Sequence, residues 1–186
     1  MYQPISKYLT GALCLVLFAV VLAGCDSNEP DDDGPGETEL ITRVVLTLTG
    51  GGETISATAN DPDGDGTNFQ IDDIILTAGT TYTGSFEIAD DINGEDITAE
   101  IEEENAEHQF FFTVGGAASS RVTVTINDQD ENNLPVGLDF TVAVSDGDAS
   151  SGTLRVILSH YDDEPKNGTD RSDETDFDIT FPIAIQ

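Results

Sequence analysis

Residues 81–88 are Thr81-Tyr82-Thr83-Gly84-Ser85-Phe86-Glu87-Ile88. Alternate positions of this stretch are occupied by Tyr82, Gly84, Phe86 and Ile88, and the positions between them are polar. Because side chains alternate between the two faces of a β-strand, this pattern predicts a strand with one buried and one solvated face. Such a strand is typical of an antiparallel sheet that packs on a core.

From Leu40 onward, similar short segments rich in Val, Ile, Thr and Phe alternate with clusters of Gly, Asp and Asn. They predict about nine strands, at 43–49, 54–59, 69–77, 81–88, 108–114, 121–126, 138–144, 153–160 and 177–185. Good helix formers over Ile97–Glu107 predict one short helix, with Thr98 as its N-cap. The fold class is therefore all-β, an antiparallel β-sandwich with an immunoglobulin-like layout. A small closed barrel is the alternative.

The N-terminus has the pattern of a bacterial lipoprotein signal. Lys7 precedes an apolar run from Leu9 to Leu22, and the run ends in Leu22-Ala23-Gly24-Cys25, which is a lipobox. The run is shorter than the roughly 20 residues that a membrane-spanning helix needs. Residues 1–24 are therefore predicted to be a signal peptide that is removed, and Cys25 is predicted to carry the lipid.

Residues 25–39 are predicted to be a lipidated cysteine and a flexible tether, because they are dense in Asp, Glu, Pro and Gly. Residues 40–186 form the predicted β-sandwich domain. The tether resembles a surface-export signal, so both the periplasmic face and the cell-surface face of the outer membrane remain open. The membrane is the first predicted partner, reached through the lipid.

The chain of 186 residues is strongly acidic, with 37 Asp and Glu against six Lys and Arg and a net charge of -31. Such a surface repels nucleic acid, so that partner is excluded. Adaptation to high salt and cation binding both account for the charge. Cys14 lies in the signal peptide and Cys25 takes the lipid, so the domain has no cysteine for a disulfide or a metal.

One acidic loop has the spacing of a calcium site. Asp61, Asp63 and Asp65 alternate and are followed by Gly66, and Asp72 stands at the twelfth position, as in an EF-hand loop. A solvated turn is the alternative, since Asp, Pro and Gly are also turn formers. Calcium is the one cofactor that this pattern suggests.

The two histidines, His108 and His160, lie at the edges of predicted strands. Hydrogen-bonded structural roles account for both. If the fold brought them together with Glu104, four residues before His108, a site with two histidines and one carboxylate would form. That arrangement would suit a metal-dependent hydrolase.

Motifs of common enzyme classes are missing from the sequence. It contains no Gly-x-Ser-x-Gly elbow, no His-Glu-x-x-His pair, no phosphate-binding glycine loop before a helix, and no cysteine nucleophile in the domain. We therefore predict that the chain is not an enzyme. A binding or structural role in the cell envelope is predicted, with an envelope protein or a glycan as partner.

Several segments of the domain carry a family resemblance: 61–66, 80–84, 107–112, 134–138 and 173–181. Together they resemble small lipoproteins of Bacteroidetes-type bacteria that have no established function. Some of those lipoproteins are labelled type 1 periplasmic binding fold proteins, although that fold alternates strands and helices. The resemblance implies an envelope location and a β-rich fold, and it implies no catalytic residue.

Overall fold

The computed structural model of this chain describes residues 39–161 and 164–186. The predicted signal peptide, the predicted lipid-bearing Cys25 and the predicted tether up to residue 38 lie outside the described residues. The elements, in chain order, are β1 (Arg43–Gly50), β2 (Glu53–Asn60), β3 (Gln70–Ile71), β4 (Ile74–Leu76), β5 (Thr81–Ala89), α1 (Ile97–Glu103), β6 (His108–Gly116), a 3-10 helix (Ala117–Ser120), β7 (Val122–Ile126), β8 (Asp139–Val144), β9 (Ser150–His160) and β10 (Glu174–Ile185).

The strands form two sheets, which confirms the predicted all-β sandwich. One sheet has six strands in the order β3-β2-β1-β5-β8-β7, and the other has four in the order β4-β10-β9-β6. Neighbouring strands are antiparallel except β4 and β10, which pair in parallel, so the strictly antiparallel prediction is wrong at that pair. Within the described residues, no helix is long and apolar enough to cross a membrane.

The segment predicted as one strand at 69–77 forms two strands that belong to different sheets. β3 pairs with β2, and β4 pairs with β10. Asp72 lies between them, where its N–H donates to Thr58 O at 2.9 Å and its Oδ2 accepts from Thr58 N at 3.0 Å. These bonds end the pairing with β2, and the chain then moves to the other sheet, which gives ten strands instead of nine.

The predicted helix is present but shorter and capped differently. α1 ends at Glu103, and Asp96 caps its start by accepting from Ala99 N. Thr98 instead binds the main chain of Ile88, since its Oγ1 accepts from Ile88 N at 2.7 Å and donates to Ile88 O at 3.1 Å. These bonds fasten α1 to β5.

Aromatic rings join the two sheets across the core. Phe86 of β5 stacks on Phe110 of β6 with ring centroids 4.8 Å apart, and Phe112 of β6 lies 4.7 Å from Phe140 of β8. The alternation predicted for β5 is confirmed, because Tyr82, Gly84, Phe86 and Ile88 are buried and the positions between them are exposed.

Gly84 leaves space in this core for the ring of Phe140. A Cβ at Gly84 would overlap Phe140 Cε2 and Cζ. We expect Gly84→Ala to lower the free energy of unfolding by about 1–3 kcal/mol, because overpacking forces a shift in a filled core. Urea unfolding measures this cost. Ser85→Ala, on the exposed face of the same strand, is the matched control and should stay within about 0.5 kcal/mol of the wild type; equal losses in both variants would contradict the steric explanation.

Candidate metal centre

The two histidines are direct neighbours on adjacent strands. His108 begins β6 and His160 ends β9, and antiparallel pairing places these two residues opposite each other. Their ring centroids are 4.4 Å apart, and both side chains are buried. The structure thus brings together two residues that are 52 positions apart in the sequence.

A β-bulge brings Asp176 to the histidines. β9 pairs with β6 along one edge and with β10 along the other. The pairing of β10 with β9 shifts register between Thr175 and Phe177, so Asp176 is the extra residue of the bulge. Such a bulge re-aims a side chain that strand alternation would point elsewhere. The Asp176 side chain is fully buried, with Oδ1 at 3.5 Å from His160 Nδ1 and Oδ2 at 3.7 Å from His108 Nε2.

Glu39 completes the group from the N-terminal side. Its Oε1 lies 3.0 Å from His108 Nε2, and its Oε2 lies 3.7 Å from His160 Nδ1. Its side chain is 11% exposed. The composition predicts Glu39 to be the last residue of a flexible tether, whereas the structure packs its side chain against His108 and His160.

The four residues Glu39, His108, His160 and Asp176 form what we call the His–carboxylate cluster. Each offers one nitrogen or oxygen, and these four atoms all lie within 4.8 Å of one another. Neutral imidazole and carboxylate are ligands that Zn²⁺ and other divalent transition metals accept. The cluster therefore has the donor set of a metal centre.

The backbone of α1's C-terminal turn orients the His108 ring. His108 Nδ1 lies 3.1 Å from Glu104 O. A carbonyl oxygen only accepts hydrogen bonds, so Nδ1 carries the proton and Nε2 faces Glu39 and Asp176. Metal-binding histidines are commonly held in this way by a hydrogen bond from the second ring nitrogen.

Burial and mutual charge set the pKa values in the cluster. Burial raises the pKa of Asp176 to about 6; the His160 contact opposes the rise and the Glu39 carboxylate adds to it. Burial also acts against the charged form of Glu39, but hydrogen bonds to His108 and Asp176 lower its pKa to about 2. Burial acts to lower the pKa of His108, but the contact with Glu39 and the charges of Glu39 and Asp176 outweigh burial, so this pKa is raised.

Three of the four carboxylate oxygens in the cluster, Glu39 Oε2, Asp176 Oδ1 and Asp176 Oδ2, are buried, and their contacts with the imidazole nitrogens, at 3.7, 3.5 and 3.7 Å, are longer than a good hydrogen bond. Buried polar atoms are nearly always satisfied, and a buried carboxylate without partners is costly. A divalent cation bound to one oxygen of each carboxylate would supply the positive charge that these buried groups lack.

Glu104 does not join both histidines with its side chain. Its carbonyl oxygen accepts a hydrogen bond from His108 Nδ1. Its carboxylate belongs to a second group, in which one carboxylate oxygen of Glu104, one of Glu107 and one ring nitrogen of His160 lie within 4.8 Å of one another. Glu104 and Glu107 are exposed. The carboxylates beside both histidines are those of Glu39 and Asp176, which the sequence analysis did not single out.

The predicted calcium loop is assembled in part. Asp61, Asp63 and Asp65 each place one oxygen within 4.8 Å of the others. Asp72 is not in that group, and its carboxylate accepts from Thr58 N instead. The loop therefore presents the first, third and fifth positions of the motif without the twelfth.

Comparison with known proteins identifies no relative from which a role for these sites could be taken. No protein-family profile matches the chain, and no curated protein or solved structure shows significant similarity to it.

Proposed function

We propose that this chain is an exported, lipid-anchored envelope module with a binding or structural role, whose β-sandwich holds one transition-metal ion in the His–carboxylate cluster. The observation that carries the metal proposal is the convergence of two imidazole nitrogens and two carboxylates in one buried place. The anchor rests on the lipobox that ends at Cys25. The partner is an envelope protein or a glycan.

The distances in the cluster support Zn²⁺. Ligands bound at about 2.0–2.2 Å to a tetrahedral ion lie roughly 3.3–3.6 Å from one another. The four nitrogen-to-oxygen separations across the cluster are 3.0, 3.5, 3.7 and 3.7 Å, and each histidine makes them with a different oxygen of Glu39 and of Asp176. For an ion to be held by all four residues, one oxygen of each carboxylate would turn toward both imidazoles, within a group of atoms that already lie within 4.8 Å of one another.

Burial favours a structural metal over a catalytic one. Catalytic zinc keeps a coordination position open for water, whereas structural zinc is closed by four protein ligands. In the cluster, His108 and Asp176 are 0% exposed, His160 is 6% exposed and Glu39 is 11% exposed. This supports the non-enzymatic role over a metal-dependent hydrolase.

The position of Glu39 suggests what the metal would hold together. Glu39 precedes β1, whereas His108, His160 and Asp176 belong to three adjacent strands of the four-stranded sheet. An ion in the cluster would therefore fasten the segment that follows the tether to the sheet that lies farther along the chain. A membrane-tethered domain would gain a fixed attachment at this point.

Metal content tests this proposal. The full chain, purified in detergent and dialysed without chelator, should contain about one Zn²⁺ or similar ion per molecule. His160→Gln and Asp176→Asn should each lose most of the bound metal, because each changes one of the four ligands. Even the loss of a residue that only hydrogen-bonds to a ligand lowers metal affinity by about 10- to 100-fold. Elemental analysis by mass spectrometry measures the content.

Glu104→Gln is the matched control, because it removes a nearby exposed carboxylate from outside the cluster. We expect this variant to keep the ion. Loss of the ion in Glu104→Gln with retention in Asp176→Asn would move the site to the group of Glu104, Glu107 and His160. A wild type that takes up no stoichiometric transition metal would refute the proposal.

A further inference from the structure

The loop that follows β2 carries a second cluster of ligands, separate from the His–carboxylate cluster. Asp61, Asp63 and Asp65, which we call the Asp triad, bring three carboxylate oxygens within 4.8 Å of one another. Acidic residues crowd many loops of a chain with a net charge of -31. The triad therefore needs an independent reason to be considered a site, and Asp61 supplies one.

Asp61 is fully buried, although it is ionisable. Its Oδ2 accepts a hydrogen bond from Gly66 N at 2.7 Å. Its Oδ1 is also buried but makes no hydrogen bond among the described residues. A carboxylate oxygen that is removed from water and lacks a donor is strongly disfavoured unless a cation meets it.

The other two members of the triad, Asp63 and Asp65, are exposed, and each places one carboxylate oxygen within 4.8 Å of the Asp61 carboxylate. Asp65 Oδ1 accepts from Thr67 N at 2.9 Å, which fixes its side chain. Three carboxylates are thus gathered at the buried side chain of Asp61.

We propose that the Asp triad binds Ca²⁺. An all-oxygen donor set suits a hard divalent cation, and Ca²⁺ takes six to eight oxygens with flexible geometry. The triad supplies three side chains and Asp72 is engaged elsewhere, so water fills the remaining positions. Binding is therefore weak, with a dissociation constant of about 10⁻⁴–10⁻³ M, as in extracellular calcium modules. This site does not depend on the transition-metal proposal.

Thermal unfolding of the full chain in molar NaCl tests the site. We expect 10 mM Ca²⁺ to raise the midpoint by about 3–10 °C over a sample with a calcium chelator. Asp63→Asn/Asp65→Asn should lose most of that rise, and both positions are exposed, so the variant should fold. Asp61→Asn should lose it too, while the amide oxygen can still accept from Gly66 N. Mg²⁺ at the same concentration should give a smaller rise.

Asp146→Asn/Asp148→Asn is the matched control, because it removes two charges from a different exposed loop. This variant should keep the full calcium-dependent rise. If the triad variants keep the rise, or if the control loses as much, the triad is not the site. If Ca²⁺ adds nothing beyond the effect of NaCl, the triad is a solvated turn and the proposal fails. Zinc content should be unchanged in all these variants, so the outcome is independent of the His–carboxylate cluster.

Discussion

Lys166→Met should destabilise the domain by about 3–5 kcal/mol, because it leaves a buried charge without its partner. Lys166 Nζ lies 3.0 Å from Asp130 Oδ2, with side chains 2% and 0% exposed. The same ammonium donates to Asn105 O and His108 O, both at 2.8 Å. Urea unfolding of the full chain measures the loss.

The double variant Lys166→Met/Asp130→Asn separates a buried charge from lost packing. Replacing both members of a buried ion pair is often close to neutral, whereas removing one is costly. Asp130 Oδ1 also accepts from the N–H groups of Asn132 and Leu134, and an Asn side chain can keep those bonds. We therefore expect the double variant to recover part of the stability. If its loss equals the sum of the two single losses, the pair is not coupled.

The fold was largely predictable because the strands are marked by local patterns. Alternation identified β5, and clusters of Gly, Asp and Asn separated most other strands. The split between β3 and β4 was not predictable, since the segment 69–77 is continuously strand-like. Only the bonds between Asp72 and Thr58 show where the chain changes sheets.

The candidate metal centre was predictable only in its histidines. Their pairing follows from the register of β6 and β9, which local sequence does not determine. Asp176 faces them because of a bulge, and strand alternation gives no sign of an extra residue. Glu39 follows an acidic stretch and has the composition of the tether, so nothing in the sequence distinguishes it as a ligand.

The two proposed cation sites meet at residues 39–42, the segment that precedes β1. Glu39 belongs to the His–carboxylate cluster, and three residues later Thr42 O accepts from the N–H of Asp61 at 2.7 Å. Gly64 of the calcium loop also lies close to Leu40, since a Cβ there would be 3.1 Å from Leu40 Cδ1. Cations at both sites would therefore hold the same short segment, which is consistent with the proposal that metal fastens the start of the domain.

Asp176→Asn should have opposite effects on stability without and with metal. Burial raises the pKa of Asp176 from 3.8 to about 6. As pH rises, the Asp176 carboxyl therefore ionises in the unfolded chain before it ionises in the folded chain. The free energy of unfolding falls between about pH 4 and about pH 6, and above pH 6 the folded state bears the whole cost of the buried charge. Two pKa units correspond to roughly 3 kcal/mol, so the metal-free variant should be more stable than the metal-free wild type at pH 7 by up to about that amount.

Zinc should reverse that order, because an ion requires the ionised carboxylate that the metal-free fold disfavours. At about 1,000 times its dissociation constant, a bound ion stabilises the wild type by about 4.1 kcal/mol, and the variant should gain almost none of this. Urea unfolding at pH 7, with buffered zinc or a zinc-selective chelator, measures both effects. Asp178→Asn, on the same strand and paired with the exposed Arg155, is the control and should keep the zinc-dependent gain. Only a metal ligand predicts a variant that is more stable without zinc and unresponsive to it, since a merely structural carboxylate would shift both conditions in the same direction.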